Sequence, residues 1–359
     1  MLVRKVLILA SMVLLTACGR PGVPRLFERA TPHETYAEAL REAGLAETAL
    51  ARDWLAAAER ALVEPKAATL PLTNDVTHVP AKPQAYGYRL QLQRGRVLNV
   101  VLSVSSEEPA LIFIDLFEAG EAGQPPRRLA SAGRDAVALE HEIERDGEYI
   151  LRIQPELLRG GTLTIGQRTT AALTFPVSGG TTAAVKSFFL DPRDNNRRQH
   201  HGIDIFAPRH TPVLAAADGF VSRVGTSTLG GNIVWVWDPE RGQSHYYAHL
   251  ERQAVTTGTR INAGDVVGYV GNTGNARTTP PHLHFGIYSR GEGPIDPLPF
   301  VAGARGPEVS GMTESAERGE GRPPEEMTEN TGQAPHGARR PRRPTETTLL
   351  RDLPHALRA

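Results

Sequence analysis

The sequence predicts a mainly β protein: an antiparallel β-sandwich followed by a second β domain, with a short helical region in front and a disordered tail behind. Three observations predict it. Apolar residues recur every three or four positions only between about residues 33 and 66, whereas from Tyr88 onward they alternate in short runs cut by glycine turns. From Gly303 the composition shifts to Gly, Pro, Glu, Arg and Thr, which bury too little apolar surface to offset chain entropy. Finally, 359 residues exceed what one hydrophobic core usually organises.

Residues 1–17 read as an export signal, because Arg4 and Lys5 precede an apolar run from Val6 to Leu15 that is short for a membrane span. Leu15-Thr16-Ala17-Cys18 resembles the bacterial lipobox, which implies that Cys18 is lipidated. Gly19, where Asp is absent, resembles lipoproteins sent on to the outer membrane of a Gram-negative cell. The implied location is therefore periplasm-facing, with the membrane as a partner through the lipid on Cys18. As the single cysteine, Cys18 also excludes an internal disulfide framework.

Residues 18–32 are polar and read as a tether. Over 33–66, Tyr36, Leu40, Trp54, Leu55 and Leu62 recur at helical spacing with a break at Gly44, which predicts two short amphipathic helices or one bent helix. Repeated prolines make 67–85 a linker. The sandwich is placed at 86–178, from alternating runs near 88–93, 97–104, 110–117, 136–143, 147–154 and 161–166. It carries no catalytic cluster, and its Asp and Glu residues among apolar ones read as a solvated outer face. In outline it resembles carbohydrate-binding or pre-peptidase sandwich modules. The second β domain spans 182–302 and the tail 303–359. Acidic and basic residues balance at 40 each, which argues against nucleic acid as a partner and leaves a mixed-charge polymer open.

The chemistry concentrates in the second domain. In Pro281-His282-Leu283-His284-Phe285 the two imidazoles share one face of a strand, an arrangement suited to gripping a divalent metal or to moving protons beside one. Upstream, His200-His201-Gly202-Ile203-Asp204 offers a histidine and a carboxylate, and Tyr246-Tyr247-Ala248-His249-Leu250 a further histidine among aromatics.

These three motifs, in this order, with the glycine-rich run from Gly264 to Gly274, are similar to the lysostaphin-type (LytM-domain) zinc metalloendopeptidases that cut peptide cross-bridges in bacterial cell walls. The resemblance covers roughly residues 185–300. It implies a small LytM-type antiparallel β fold with a groove, Zn2+ at the groove floor, and peptidoglycan as substrate. It also implies His200, Asp204 and His284 as metal ligands, and His249 and His282 as the catalytic pair that handles the proton. The even separation of His200 and Asp204 agrees, Gly202 leaves room near the metal, and the odd separation of His201 from Asp204 would turn it away. Asn232 and Tyr247 are candidate substrate-binding residues of the groove. One departure is Gly286, where many members of the family carry Glu.

The alternative is a non-catalytic LytM-domain regulator, whose partners would be a cell-wall amidase or division proteins. Such relatives typically lack a metal ligand, and here all five residues are present, which favours the enzyme.

Overall fold

The computed structural model describes residues 30–121 and 123–308. The expected export signal, Cys18 and all but the first residues of the expected tail lie outside them. The helical region forms two helices. Helix α1 (Pro32–Glu42) starts at a capping box, in which the Thr31 hydroxyl accepts from the Glu34 amide and the Glu34 carboxylate accepts from the Thr31 amide. Helix α2 (Ala49–Val63) is capped by Thr48. No helix among the described residues is long and apolar enough to cross a membrane.

Nine strands follow: β1 (Lys66–Ala67), β2 (Leu72–His78), β3 (Tyr86–Leu92), β4 (Arg96–Ser105), β5 (Ile112–Glu118), β6 (Arg127–Ser131), β7 (Ala138–Glu142), β8 (Gly147–Pro155) and β9 (Gly161–Ala171). They form two sheets, β1-β3-β8-β5-β6 and β2-β9-β4-β7. Leu90, Leu98, Ile114, Leu116, Leu151, Ile153, Leu163 and Ile165 form the core the two sheets share. The proline-bracketed residues expected as a linker include β2, which pairs with β9 from Leu72 opposite Gln167 to His78 opposite Gly161. As an edge strand with one wet face, β2 needs only Leu72 and Val76 turned inward, so it carries little of the apolar signal that marks a central strand.

A second correction concerns the acidic residues of this region. Strands β5 and β8 are buried at nearly every position, on both faces, because the helices cover the side turned away from the sandwich core. Asp115 lies on that covered side, 1% exposed, and holds Arg152 at 2.7 Å. It is a buried ion pair where a solvated carboxylate is expected.

The remaining strands are β10 (Val185–Ser187), β11 (Pro192–Arg193), β12 (Arg198–Gln199), β13 (Ile203–Phe206), β14 (Pro212–Leu214), β15 (Gly219–Ser227), β16 (Gly231–Asp238), β17 (Gln243–Gln253), β18 (Arg260–Ile261), β19 (Val266–Val270), β20 (His282–Ser289) and β21 (Gly293–Ile295). The main path runs β10-β13-β20-β17-β16-β15-β18, with β14, β19 and β21 paired beside it, while β11 and β12 form a separate hairpin. Ile203, Ile205, Val234, Val236, Tyr247, Leu283, Phe285 and Ile287 build the core on one face of this sheet. Antiparallel register sets Asp204 opposite His284 and Phe206 opposite His282, and Ala248 opposite His284 on the other flank. Alternation along β13 and β20 therefore turns Asp204, His282 and His284 to the face away from the core.

Candidate metal centre

Three donor atoms converge on this face. His200 Nε2 lies 3.0 Å from Asp204 Oδ1 and 2.9 Å from His284 Nδ1, and His284 Nδ1 lies 3.1 Å from Asp204 Oδ1. His200 Nδ1 donates to the Phe188 carbonyl at 2.8 Å, so the neutral ring carries its proton there and presents a bare Nε2. Lone pairs from two imidazoles and a carboxylate facing one another repel unless a cation lies among them. A tetrahedral ion with bonds of about 2.0–2.2 Å sets its donors roughly 3.3–3.6 Å apart. The observed triangle accepts such an ion after opening by a few tenths of an ångström. Gly202 is required here, because a Cβ would sit 2.5 Å from the Phe285 carbonyl oxygen and 2.8 Å from the His284 ring.

The charges fit the same reading. Burial alone would raise the Asp204 carboxyl, but the His200 and His284 rings against it draw it below the usual carboxylate range, toward the ionised form that a metal ligand needs. Arg193 holds the other oxygen, with Nη2 2.9 Å from Asp204 Oδ2, and so leaves Oδ1 for the cluster. Burial lowers the pKa of His284, against the pull of Asp204.

Two further histidines stand beside the triangle. The His249 ring lies 5.0 Å from the His282 ring and 5.9 Å from that of His284. His249 Nδ1 donates to the Thr273 carbonyl and His282 Nδ1 to the Pro280 carbonyl, each at 2.9 Å. Both rings thus keep Nε2 unprotonated in the neutral form. Burial and the neighbouring His284 and His282 push His249 down to about 4, so it is neutral at pH 7. Phe206 stacks on His282 at 5.0 Å and fixes its ring plane.

His249 reaches this position through a break in alternation. Between Tyr247, opposite Val234, and Leu250, opposite Asn232, strand β17 carries one residue more than β16. That bulge sits at His249, whose φ is +61°.

Residues 198–297 match the sequence profile of Peptidase family M23. The chain carries an M23 peptidase domain. It is 29% identical over 181 residues to the peptidoglycan DD-endopeptidase ShyC of Vibrio cholerae, an overlap of 40% of either chain. It is 35% identical over 138 residues to the L-Ala--D-Glu endopeptidase of Bacillus subtilis, covering 35% of this chain and 42% of that one. To the DD-carboxypeptidase/endopeptidase Mpg of Neisseria meningitidis it is 40% identical over 101 residues, covering 28% of this chain and 22% of that one. The chain thus spans less than half the length of each of these relatives.

The M23 domain opens over its histidines into a groove of about 600 Å³. His201 lines this groove as well, although its odd separation from Asp204 predicts the other face. Two expected groove residues are elsewhere. Tyr247 is fully buried, and its hydroxyl accepts from the Ala216 amide at 2.8 Å. Counting by twos from His249 puts Tyr247 in the groove, and the bulge reverses that count. Asn232 instead braces β17, donating from its side-chain amide to the carbonyls of Leu250 and Glu251.

The wall that sequence reading missed is aromatic. Trp235, Tyr246 and Tyr288 line the groove, with Trp235 4.4 Å from Tyr246 and 5.0 Å from Tyr288 between ring centres. Period-two counting from His284 through Gly286 to Tyr288 is the signal that reaches one of them. Gly286 belongs to this wall too: a Cβ there would meet the His201 carbonyl at 2.9 Å and the Tyr288 ring at 3.2 Å. The His201 carbonyl and the Tyr288 ring occupy the space that a larger residue at 286 would need.

Proposed function

We propose that the M23 domain is a zinc-dependent endopeptidase that hydrolyses amide bonds in the peptide cross-links of peptidoglycan. The observation that carries this reading is the convergence of His200 Nε2, Asp204 Oδ1 and His284 Nδ1 on one point at the floor of an open groove. Two imidazoles and a carboxylate, with a fourth position left to solvent, form a donor set of catalytic zinc. The peptidoglycan endopeptidases among the relatives support the substrate class.

Bound in that triangle, the ion supplies Lewis acidity, lowering the pKa of a water and polarising the scissile carbonyl. The chain's own groups handle the protons. His249 and His282, each anchored through Nδ1–H to a backbone carbonyl, leave Nε2 as the free ring nitrogen, through which the neutral ring accepts a proton as water oxygen bonds to the carbonyl carbon. When the carbon–nitrogen bond breaks, the same pair returns that proton to the departing amine. The aromatic wall of Trp235, Tyr246 and Tyr288 gives the peptide an apolar surface to lie against.

From the lipobox resemblance we further propose an exported lipoprotein anchored through Cys18, which Cys18→Ser tests by releasing the protein from the membrane fraction. The catalytic reading is tested by incubating the zinc-loaded chain with a purified cross-linked muropeptide dimer. Conversion to monomers by the wild type and none by His284→Ala supports it. An active His284→Ala overturns it.

A further inference from the structure

Two arginines border the groove, and they do different things. Both sit on the hairpin of β11 and β12, whose turn residues Asp194, Asn195 and Asn196 all adopt positive φ, between 52° and 66°. Short polar residues tolerate that conformation, so the local sequence suits the turn. Arg193 reaches inward: its Nη2 contacts both Asp204 Oδ2 and the Ser187 hydroxyl, and Ser187 Oγ lies 3.3 Å from His200 Nδ1. It is committed to the metal-binding carboxylate. Arg198 is held only at its inner nitrogen among the described residues, by Nε donating to Asp194 Oδ2 at 3.0 Å. That pair is open to water, with side chains 35% and 57% exposed, and such pairs exchange partners at little cost.

Arg198 lines the same groove as Tyr288, Tyr246 and the metal cluster. The acidic residues of the lining are Asp194 and Asp204, matched by Arg193 and Arg198 before any metal charge is added. With a divalent ion bound, this groove carries surplus positive charge. A part-exposed guanidinium whose two terminal nitrogens have no partner among the described residues, beside a cationic centre, is suited to take a carboxylate in a forked pair.

We propose that Arg198 is a specificity-determining residue that reads a free carboxylate on the substrate peptide, close to the bond that is cut. This rests on the peptidase reading above, and it narrows the substrate class to acidic stem peptides, excluding uncharged bridges such as oligoglycine. The hairpin then joins two tasks, with Arg193 setting the ligand carboxylate and Arg198 setting the substrate beside it.

The test uses the full zinc-loaded chain and two synthetic cross-linked stem peptides that differ only in a free carboxylate or a carboxamide next to the scissile bond. The carboxylate form is expected to be favoured about 10- to 100-fold in kcat/KM, mostly through KM, the span of a hydrogen bond to a charged group. Arg198→Gln brings the carboxylate form down to the level of the carboxamide, and Arg198→Lys restores part of the preference. Equal turnover of the two forms by the wild type, or an Arg198→Gln that slows both alike, overturns the proposal.

Calorimetric binding of the same peptides separates this outcome from a failure of the peptidase reading. If neither peptide is cut but the carboxylate form binds tighter and Arg198→Gln removes the difference, the recognition stands and the hydrolysis falls. If neither is cut and neither is preferred, both fall.

Discussion

Two of the buried polar clusters among the described residues have similar composition and opposite character. Under the helices, Asp115 holds Arg152 at 2.7 Å and accepts from Ser131 Oγ at 2.6 Å, while His33 Nε2 pairs with Gln154 Oε1 at 2.7 Å. The Gln154 amide donates to the Trp54 carbonyl, the Trp54 indole donates to the Pro155 carbonyl, and His33 stacks on Trp54 at 4.7 Å. Donors there meet acceptors. In the M23 domain, His200, Asp204 and His284 aim acceptors at one another, and the cluster opens onto a groove. A closed network ties elements together, whereas converging lone pairs call for a cation. Composition does not separate the two; the pairing of donors with acceptors does.

Substitutions break this comparison most sharply when they are read by two assays at once. His284→Ala is expected to abolish hydrolysis and zinc binding together, so zinc at about 1,000 times its Kd stabilises the wild type by about 4 kcal/mol and leaves the variant's melting unchanged. His249→Ala, by contrast, keeps zinc and loses about 10²–10⁴-fold in kcat. Loss of zinc from His249→Ala in a metal titration would move that residue from proton handling to ligation.

Asp115→Ala removes one partner of the closed cluster and leaves the Arg152 charge buried. Urea unfolding should show a loss of about 3–5 kcal/mol, with zinc affinity untouched. A milder change of pH acts on His33 of this network and on the buried His245 of the M23 domain. Burial, and then the charge of Arg152, lowers the pKa of His33 to about 4, and burial lowers that of His245 to the same level. Between their unfolded value of 6.5 and about 4 the unfolded chain binds the extra protons, so stability is fully present above pH 6.5 and is lost as pH falls toward 4. Each contributes of order 3 kcal/mol over that window, and His33→Gln should flatten the slope measured between pH 7 and pH 4.5.

The smallest effect tests the link between hairpin and metal. Arg193→Ala frees Asp204 Oδ2 and should weaken zinc binding about 10- to 100-fold without removing it, as read by competition with a chromophoric chelator.

Much of this was legible in the sequence, and the failures share one cause. The five residues His200, Asp204, His249, His282 and His284 are local motifs, and antiparallel pairing of neighbouring strands brings them together. What one strand cannot show is what lies across from it or where its period breaks. Tyr247 turns into the core because the extra residue at His249, which leaves no mark in composition, reverses the alternation. Asp115 looked solvated because nothing in β5 announces that α1 and α2 cover its outer face. Strand β2 looked like a linker because an edge strand needs so few apolar residues. Arg193 and Arg198 carry no motif, and only the hairpin's placement over Asp204 gives them meaning.

The central claim is that the unsatisfied cluster, and not the closed one, is completed by a catalytic ion. Titrating metal-free protein with zinc while following cleavage of a cross-linked muropeptide tests it directly. Activity that is absent without metal, rises in proportion to zinc and levels off at one equivalent, in the wild type and in Asp115→Ala but not in His284→Ala, is the expected result. Full cleavage by the metal-free chain, or a zinc response that survives His284→Ala, would contradict it.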